Sequence, residues 1–142
     1  MKVNRRRILG HFSGWLALAA APPSWPAAAS RKTVLVVGDS LSAEYGLARG
    51  TGWVALLERR LAQFGIDARV VNASVSGDTT SGGRSRLPDL LARHRPTHVI
   101  LELGGNDALR GLPLSMTHGN LGAMASAARA CFRACLWSPI AE

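Results

Sequence analysis

The sequence predicts an α/β fold with a parallel sheet, because three apolar runs alternate with segments of helical periodicity and each run is followed by a turn motif. The runs cover residues 33–37, 68–72 and 97–103. The first is continuous and rich in β-branched residues, which is typical of a strand buried on both faces. With 142 residues, the chain is long enough for one domain.

Helices are predicted between and after these runs. The first spans 52–64 and is followed by Gly65, a residue type that often ends helices. A loop rich in glycine, serine and threonine is predicted over 73–83, and the second helix, which follows it, ends near 94–96. The last predicted helix covers 120–130. The apolar positions at helical spacing in the first two helices are Trp53, Leu56, Leu57, Leu61, Phe64, Leu87, Leu90 and Leu91.

Residues 1–29 have the pattern of a secretory signal. Residues 1–7 are basic, 12–21 are weakly apolar, and 27–29 are alanines suited to cleavage before Ser30. The run Asn-Arg-Arg-Arg-Ile-Leu resembles a twin-arginine export signal, and ordinary Sec export stays open as an alternative. We therefore predict export to a bacterial periplasm or beyond, with no stable membrane insertion after cleavage.

The excess of positive charge is concentrated in this predicted signal. Removing residues 1–29 takes away four of the 17 basic residues and none of the nine acidic ones, so the formal net charge falls from +8 to +4. The remaining arginines are scattered among acids, which argues against a nucleic-acid partner. Cys131 and Cys135 are too few for a zinc site, and a disulfide between them stays open.

Three polar motifs each follow the end of a predicted strand: Gly38-Asp39-Ser40, Ser76-Gly77-Asp78 and Gly105-Asn106-Asp107. Each motif alone is common in solvated turns or helix caps. In open α/β sheets, ligands bind in the crevice outside the carboxyl ends of the strands. We therefore expect the three motifs to converge on one edge of the sheet.

These residue types suit nucleophilic attack on a carbonyl. Ser40 follows a strand in a tight turn that would expose its hydroxyl, and Asp39 can brace that turn by accepting backbone N–H bonds. Gly77 has no Cβ, so its N–H can approach a substrate closely. The Asn106 side chain supplies a neutral amide donor, which can stabilise the oxyanion formed in acyl transfer.

Segments 38–43, 71–79 and 101–107 resemble the first three sequence blocks of the SGNH hydrolase superfamily, most closely its bacterial acyl-CoA thioesterase I, arylesterase and lysophospholipase branch. The resemblance runs from about residue 33 to about residue 130. It implies a flavodoxin-like three-layer α/β/α sandwich, with about three of five strands present, and no metal or organic cofactor. It also implies a small-molecule acyl ester or thioester as substrate, and it leaves the oligomeric state open.

By position, the resemblance implies that Ser40 is the nucleophile. It assigns the oxyanion hole to the backbone N–H groups of Ser40 and Gly77 and to the Asn106 side chain. One departure from the family pattern lies in the turn after the nucleophile, where Glu44 stands at a position that is usually glycine in close relatives.

The second departure concerns the general base. The family's fourth block, Asp-x-x-His, supplies the histidine base and its carboxylate partner, and these 142 residues contain no such pair. His94, His98 and His118 are interpreted as structural or solvent-facing rather than catalytic. We therefore predict negligible esterase activity for the chain as written.

Three segments are predicted overall: a signal over 1–29, the N-terminal part of an SGNH hydrolase domain over 30–130, and an atypical tail over 131–142. The tail has neither strand nor clear helical periodicity, so a frameshift near residue 130 is our hypothesis, with natural truncation or an incomplete gene as alternatives. The predicted activity is a serine hydrolase of esters or thioesters that forms an acyl-enzyme on Ser40. The alternatives are an exported, non-catalytic acyl- or glycan-binding module and a carbohydrate acetylesterase.

Overall fold

The computed structural model describes residues 31–136, so the predicted signal and residues 137–142 of the predicted tail lie outside the described residues. The strands are β1 (Lys32–Gly38), β2 (Ala68–Asn72) and β3 (His98–Glu102). The helices are α1 (Trp53–Gln63), α2 (Thr80–His94), α3 (Gly105–Leu109) and α4 (Leu114–Leu136). The described strands form one parallel sheet in the order β2-β1-β3.

The register of the sheet brings the carboxyl ends of the strands to one edge. Gly38, the last residue of β1, pairs with Glu102, the last residue of β3. Asn72, the last residue of β2, pairs with Val36, two residues before the end of β1. The segments that leave the three strands therefore begin side by side, as the sequence predicts.

The main core lies between one face of the sheet and the helices α2 and α4. Leu35 and Val37 of β1 form a buried cluster with Leu87 and Leu91 of α2 and Met124 of α4. Alternate residues of a strand point to opposite faces, so the continuous apolar run of β1 serves both faces of the sheet.

Helix α1 covers the opposite face. Its residue Val54 is buried and lines the same surface hollow as Val70 of β2. The neighbouring Val71 packs against the cluster on the other face. The layers are therefore helix, sheet and helix, which confirms the predicted α/β class and the incomplete sandwich of three parallel strands.

The bounds of the first half follow the sequence closely. Strand β2 has the predicted bounds, and α1 is one residue shorter at each end than the predicted 52–64. Gly65 ends the helix with a φ of 66°, a left-handed conformation that glycine adopts without strain.

The predicted loop over 73–83 is wrong at its end, because α2 already begins at Thr80. The Thr79 side chain caps the helix by accepting a hydrogen bond from the Gly82 N–H at 3.3 Å. A Cβ on Gly83 would lie 2.3 Å from Leu103 Cδ1, so a side chain at this position would require Leu103 to shift.

The observed helix bounds after β3 differ more from the predicted ones. The motif at 105–107, which the sequence interprets as a turn or helix cap, forms the short helix α3 with Gly104 as its N-cap. The last helix, predicted over 120–130, begins at Leu114 and continues to Leu136. Helix α4 begins directly after Pro113, a residue type that is tolerated at helix starts. The polar residues in the first turns of α4 interrupt the apolar spacing by which a helix is recognised in the sequence. His118 therefore lies in a helix rather than in a loop, and it is exposed.

Candidate active site

The three polar motifs meet at the carboxyl edge of the sheet. The Val75 N–H, in the segment after β2, donates to the Gly38 carbonyl at 3.0 Å. The side-chain amide of Asn106, in α3 after β3, donates to the Asp78 carbonyl at 2.9 Å. Each motif is thus joined to another by hydrogen bonds, and the predicted convergence is present in the structure.

The turn after β1 is organised by Asp39, which is 2 % exposed. Its Oδ1 accepts a hydrogen bond from the Leu41 N–H at 3.0 Å, and its carbonyl accepts one from Ala43 N–H at 2.9 Å. The Ser40 carbonyl accepts a hydrogen bond from the Tyr45 N–H at 3.2 Å. Ser40 therefore sits in a turn with both flanks fixed, and its own side chain is half-buried.

Gly77 has a φ of 80°, in the left-handed region that favours glycine. The nearest atom to a Cβ built there is an Arg110 nitrogen at 3.9 Å, so backbone conformation rather than lack of space requires glycine. Arg110 Nη2 donates to the Gly77 carbonyl at 2.8 Å and so links this loop to the segment after α3.

Asn106 bridges the other two motifs. Its Nδ2 donates to Asp39 Oδ2 at 3.1 Å and to the Asp78 carbonyl at 2.9 Å. A primary amide has two N–H donors, and both have protein acceptors in this arrangement. An oxyanion that binds at this amide must therefore share or replace one of these two bonds.

Asp107, next to Asn106, belongs to a buried polar network that the sequence does not reveal. The carboxylate is 1 % exposed and accepts hydrogen bonds from the Thr80 N–H at 2.8 Å and the Thr80 hydroxyl at 2.5 Å. Asn120 Nδ2 donates to the same hydroxyl at 3.1 Å. Burial raises the pKa of Asp107, but the hydrogen bonds from Thr80 and Thr117 outweigh burial, and the net pKa lies below the ordinary value.

The network ties α3 to the start of α2 and to α4. Thr80 is the first residue of α2, Asp107 lies in α3, and Asn120 lies in α4. The position of Asn106 is therefore fixed partly by the hydrogen bonds of the next residue, Asp107. A threonine pair at a helix start is a capping signal in the sequence, but nothing in the sequence identifies its partner on another helix.

Arg86 is a second functional-site residue that the sequence does not reveal. From α2 it reaches back to the strand ends, where Nε donates to Asp78 Oδ2 at 2.8 Å, Nη2 donates to the Gly38 carbonyl at 3.3 Å, and Nη1 donates to the Ala73 carbonyl. One guanidinium thus holds the residue before Asp39 and both ends of the loop after β2.

Behind the turn that contains Ser40, Ser42 makes a further set of bonds. Its hydroxyl donates to Glu102 Oε2 at 2.7 Å and accepts from Trp53 Nε1 at 3.1 Å, and its carbonyl accepts from Asn72 Nδ2 at 2.7 Å. These contacts attach the turn to β3, α1 and β2 in that order. Ser42 is 1 % exposed, so it is part of the framework and not of the open site.

His94 and His98 lie away from the three motifs in the chain topology, whereas His118 of α4 follows Thr117, whose hydroxyl donates to Asp107 at 3.4 Å. His98 is the first residue of β3, at the amino end of the strand, and His94 is the last residue of α2. Within residues 31–132, the Ser40 hydroxyl has no recorded hydrogen bond to a histidine. The same residues hold no group of three or more histidine, cysteine or acidic side chains that could bind a metal ion.

Comparison with protein families places this fold and these motifs in a known group. The family described as GDSL-like Lipase/Acylhydrolase matches residues 36–141. Among curated proteins, the chain is 54 % identical over 119 residues to Esterase TesA of Pseudomonas aeruginosa, covering 84 % of this chain and 57 % of TesA. It is 46 % identical over 100 residues to an arylesterase of Vibrio mimicus, covering 70 % of this chain and 50 % of the arylesterase.

A third relative is Thioesterase 1/protease 1/lysophospholipase L1 of Escherichia coli K12, with 47 % identity over 94 residues, covering 66 % of this chain and 44 % of that protein. The chain thus spans about half the length of the curated relatives that it matches.

Solved structures give the same grouping. The crystal structure of TesA superimposes with a TM-score of 0.70 at 57 % identity, covering 71 % of this chain and 56 % of TesA. The psychrotrophic esterase EstA from Pseudoalteromonas, inhibited by monoethylphosphonate, gives a TM-score of 0.68 at 44 % identity, covering 71 % of this chain and 55 % of EstA. By its sequence match and its fold, the chain belongs to the GDSL-like Lipase/Acylhydrolase family.

Proposed function

We propose that the protein is a hydrolase of carboxylic esters or thioesters that forms an acyl-enzyme on Ser40. The observation that carries the proposal is the hydrogen-bonded meeting of three motifs at one sheet edge, with Asn106 donating to Asp39 at 3.1 Å and to the Asp78 carbonyl at 2.9 Å. The names of the relatives, an esterase, an arylesterase and a thioesterase/lysophospholipase, support the same chemistry.

In this mechanism, Ser40 Oγ attacks the substrate carbonyl and forms a tetrahedral intermediate. The negative charge on the carbonyl oxygen is stabilised by the N–H groups of Ser40 and Gly77 and by the Asn106 amide. Collapse of the intermediate expels the alcohol or thiol and leaves the acyl group on Ser40. Water then attacks the acyl-enzyme and restores the serine.

The proton of the serine hydroxyl needs a base. In the family pattern this base is the histidine of an Asp-x-x-His block, and these 142 residues contain none. We therefore propose that the residues described supply the nucleophile and the oxyanion donors, and that the 142-residue chain alone turns over esters negligibly.

The rim of the site favours an apolar acyl group. Leu41, Tyr45 and Leu47 in the nucleophile turn are 70 %, 78 % and 56 % exposed, and Val75 and Leu109, in the segments after β2 and β3, are 51 % and 86 % exposed. Burying such side chains against an acyl chain is favourable by about 25 cal/mol per Å². This rim suits short to medium acyl esters, thioesters and lysophospholipids better than a carbohydrate acetate.

A second candidate function is that of an exported binding module without turnover. It is favoured by one observation: the Ser40 hydroxyl has no recorded histidine partner within residues 31–132. Such a module would bind an acyl or glycan ligand at the same rim. Its predicted behaviour differs from that of the enzyme because Ser40 would never become acylated.

The experiment that separates the two uses a chimera. Residues 31–130 replace the matching part of Pseudomonas aeruginosa TesA, whose remaining part then completes the domain. We expect the chimera to hydrolyse p-nitrophenyl butyrate and to label with a fluorophosphonate probe, and Ser40→Ala to abolish both. Ser85→Ala, at an exposed serine on α2, serves as the matched control and should leave both unchanged.

A folded chimera that neither labels nor turns over would reject the enzyme and favour the binding module. The 142-residue chain should show negligible turnover in parallel. Robust hydrolysis by that chain, lost in Ser40→Ala, would show that a base other than an Asp-x-x-His histidine operates.

We also propose that the protein is exported and that residues 1–29 are removed. No helix within residues 31–136 is long and apolar enough to cross a bilayer. Sequencing the N-terminus of the protein recovered from the expressing bacterium tests the proposal, and we expect it to begin at Ser30. A soluble cytoplasmic product that retains Met1 would contradict it.

A further inference from the structure

Glu44 has a backbone conformation that its residue type disfavours. Its φ is 59°, in the left-handed region, which is strained for a residue with a Cβ. Among the described residues, Arg95 is the other non-glycine residue with positive φ, at 43°, but it is the C-cap of α2, where this conformation is common. Glycine would adopt this conformation at position 44 without strain. A glutamate there is therefore expected to make contacts through its side chain that offset the backbone strain.

The Glu44 carboxylate is bonded to the far end of its own loop. The Gly50 N–H lies 3.0 Å from Oε1 and 2.9 Å from Oε2, and the Gly52 N–H donates to Oε1 at 2.9 Å. Gly52 is the N-cap of α1 and offers no capping side chain of its own. The carboxylate thus satisfies loop donors at a helix start, where negative charge is also favoured by the helix dipole.

The Glu44 backbone is bonded toward the nucleophile. The Leu47 N–H donates to the Glu44 carbonyl at 3.0 Å, and the N–H of the next residue, Tyr45, donates to the Ser40 carbonyl at 3.2 Å. One residue therefore connects the Ser40 turn with the first turn of α1. The loop between these points carries the exposed apolar side chains of Tyr45 and Leu47.

We propose that Glu44 is a positioning residue of the Ser40 site: its carboxylate fastens loop 45–51 to the start of α1 and holds the apolar side chains of that loop beside Ser40. The attachment of the loop to α1 is inferred from the hydrogen bonds of the Glu44 carboxylate with Gly50 and Gly52. Its effect on an acyl substrate rests on the proposed function.

The charge around Glu44 favours the ionised carboxylate. Arg49 comes from the loop itself and Arg59 from α1, and the Arg59 Nη1 also donates to the Gly50 carbonyl at 2.8 Å. Glu58 of α1 lines the same hollow, while β2 contributes the uncharged Val70 and Asn72. The hydrogen bonds from Gly50 and Gly52, followed by the two arginines, lower the pKa of Glu44 below its ordinary value of 4.5.

The sign of the pH dependence follows from this lowered pKa. A carboxyl group whose pKa is depressed by folding stabilises the fold above its unfolded-state pKa and ceases to do so as the pH falls through the folded-state pKa. The loop should therefore be held at neutral pH and loosen below pH 4.5, the ordinary value for the group.

The test is carried out on the full 142-residue chain. Amide hydrogen exchange over residues 50–52, corrected for intrinsic rates, reports the fastening directly, and trypsin cleavage after the exposed Arg49 reports loop opening at neutral pH. Glu44→Gly keeps the backbone conformation accessible and removes the carboxylate. Glu44→Gln keeps the side-chain length and removes the charge. Asp89→Asn, at an exposed position of α2, is the control.

We expect both Glu44 variants to raise exchange at 50–52 on the order of tenfold at neutral pH, since bonds to a charged acceptor are lost, and to speed cleavage after Arg49. The unfolding midpoint of Glu44→Gly should change little, because the backbone strain is relieved. Wild type and Asp89→Asn should lose loop protection as the pH falls below 4.5, and Glu44→Gln should not show this step.

Equal exchange and cleavage in wild type and in both Glu44 variants would overturn the proposal, as would an acid step that persists in Glu44→Gln. The readouts do not require a reactive serine. Ser40→Ala should leave them unchanged, so failure of the proposed enzyme activity and failure of the Glu44 assignment are observed separately.

Discussion

The Asn106 amide is held in place before any substrate is bound. Its two N–H donors are used by Asp39 and by the Asp78 carbonyl at 3.1 and 2.9 Å. These bonds fix the orientation of the amide in advance, which lowers the reorganisation cost when charge develops on the substrate, although an oxyanion must share or replace one of them.

Replacing Asn106 with alanine in the TesA chimera should therefore lower kcat by about 10²–10³-fold, the usual loss for one oxyanion donor. KM should change much less, because the donor acts mainly on the transition state. Steady-state kinetics with p-nitrophenyl butyrate measures both constants. Ser85→Ala is the control, and a fall in kcat of less than tenfold in Asn106→Ala would contradict the assignment.

Asp107 gives a prediction about stability and pH. Its lowered pKa means that it stabilises the folded state above the ordinary value of 3.8 and stops doing so as the pH falls through its folded-state pKa. Asp107→Asn should lower the free energy of unfolding by about 1.5–3 kcal/mol at neutral pH. Urea unfolding at pH 7 and at acid pH measures the effect, and the variant should lose less stability in acid than wild type.

Asp89, exposed on α2, supplies the matched control for Asp107. Asp89→Asn should retain the stability of wild type at both pH values. If Asp107→Asn unfolds with the same midpoint as Asp89→Asn, the buried network contributes nothing measurable.

At the level of elements, α2 lies unusually close to the segment after β3. The contact depends on Gly83, where a Cβ would lie 2.3 Å from Leu103 Cδ1. Leu103 belongs to the packed surround of the main core, so its side chain has little room to move. The glycine-rich start of α2 is thus a packing surface between two elements that carry site residues.

A pair of glycine substitutions tests this contact. Gly83→Ala should lower the free energy of unfolding by about 1–3 kcal/mol through overpacking. Gly122→Ala, in α4 with nothing within 4 Å of the new Cβ, should raise it by up to about 1 kcal/mol, because alanine is the better helix former. Urea denaturation compares the two, and equal effects at both positions would contradict the packing account.

Helix bounds were predictable where apolar spacing and a stop residue agree, as in α1 with its terminal Gly65. They were not predictable where tertiary contacts decide. Thr80 starts α2 because Asp107, distant in sequence, accepts its N–H and hydroxyl bonds. Leu114 starts α4 in a polar stretch without helical periodicity.

For the whole molecule, the convergence of Ser40, Gly77 and Asn106 followed from one topological rule, since parallel strands end at the same edge. The hydrogen bonds that fix the positions of these residues could not be predicted from that rule. Arg86 reads as one arginine among several on a helix, and its contacts to Asp78 and to two backbone carbonyls require the assembled sheet. The sequence pattern predicted which sheet edge carries Ser40, Gly77 and Asn106. The hydrogen bonds that fix these residues are long-range contacts that the sequence pattern does not show.

Arg86 acts across the molecule, because it joins the ends of β1 and β2 to α2. Arg86→Lys keeps a positive charge near Asp78 but cannot reach all three acceptors with a fixed fork. We expect the free energy of unfolding to fall by about 1–3 kcal/mol, because the partly buried Ala73 carbonyl loses its Arg86 donor and the Gly38 carbonyl loses one of its two donors. Urea denaturation with the exposed Arg93→Lys as control measures this, and equal stability of the two variants would reject the clamp.

The strand order has a consequence for synthesis on the ribosome. β1, the strand that leads into Ser40, lies between β2 and β3 in the sheet, and both neighbours come later in the chain. Domains form during translation from the N-terminus onward, so β1 must wait, unpaired on one side, until β3 emerges. During that interval the backbone N–H and C=O groups on that edge of β1 are unpaired and open to pairing with other chains.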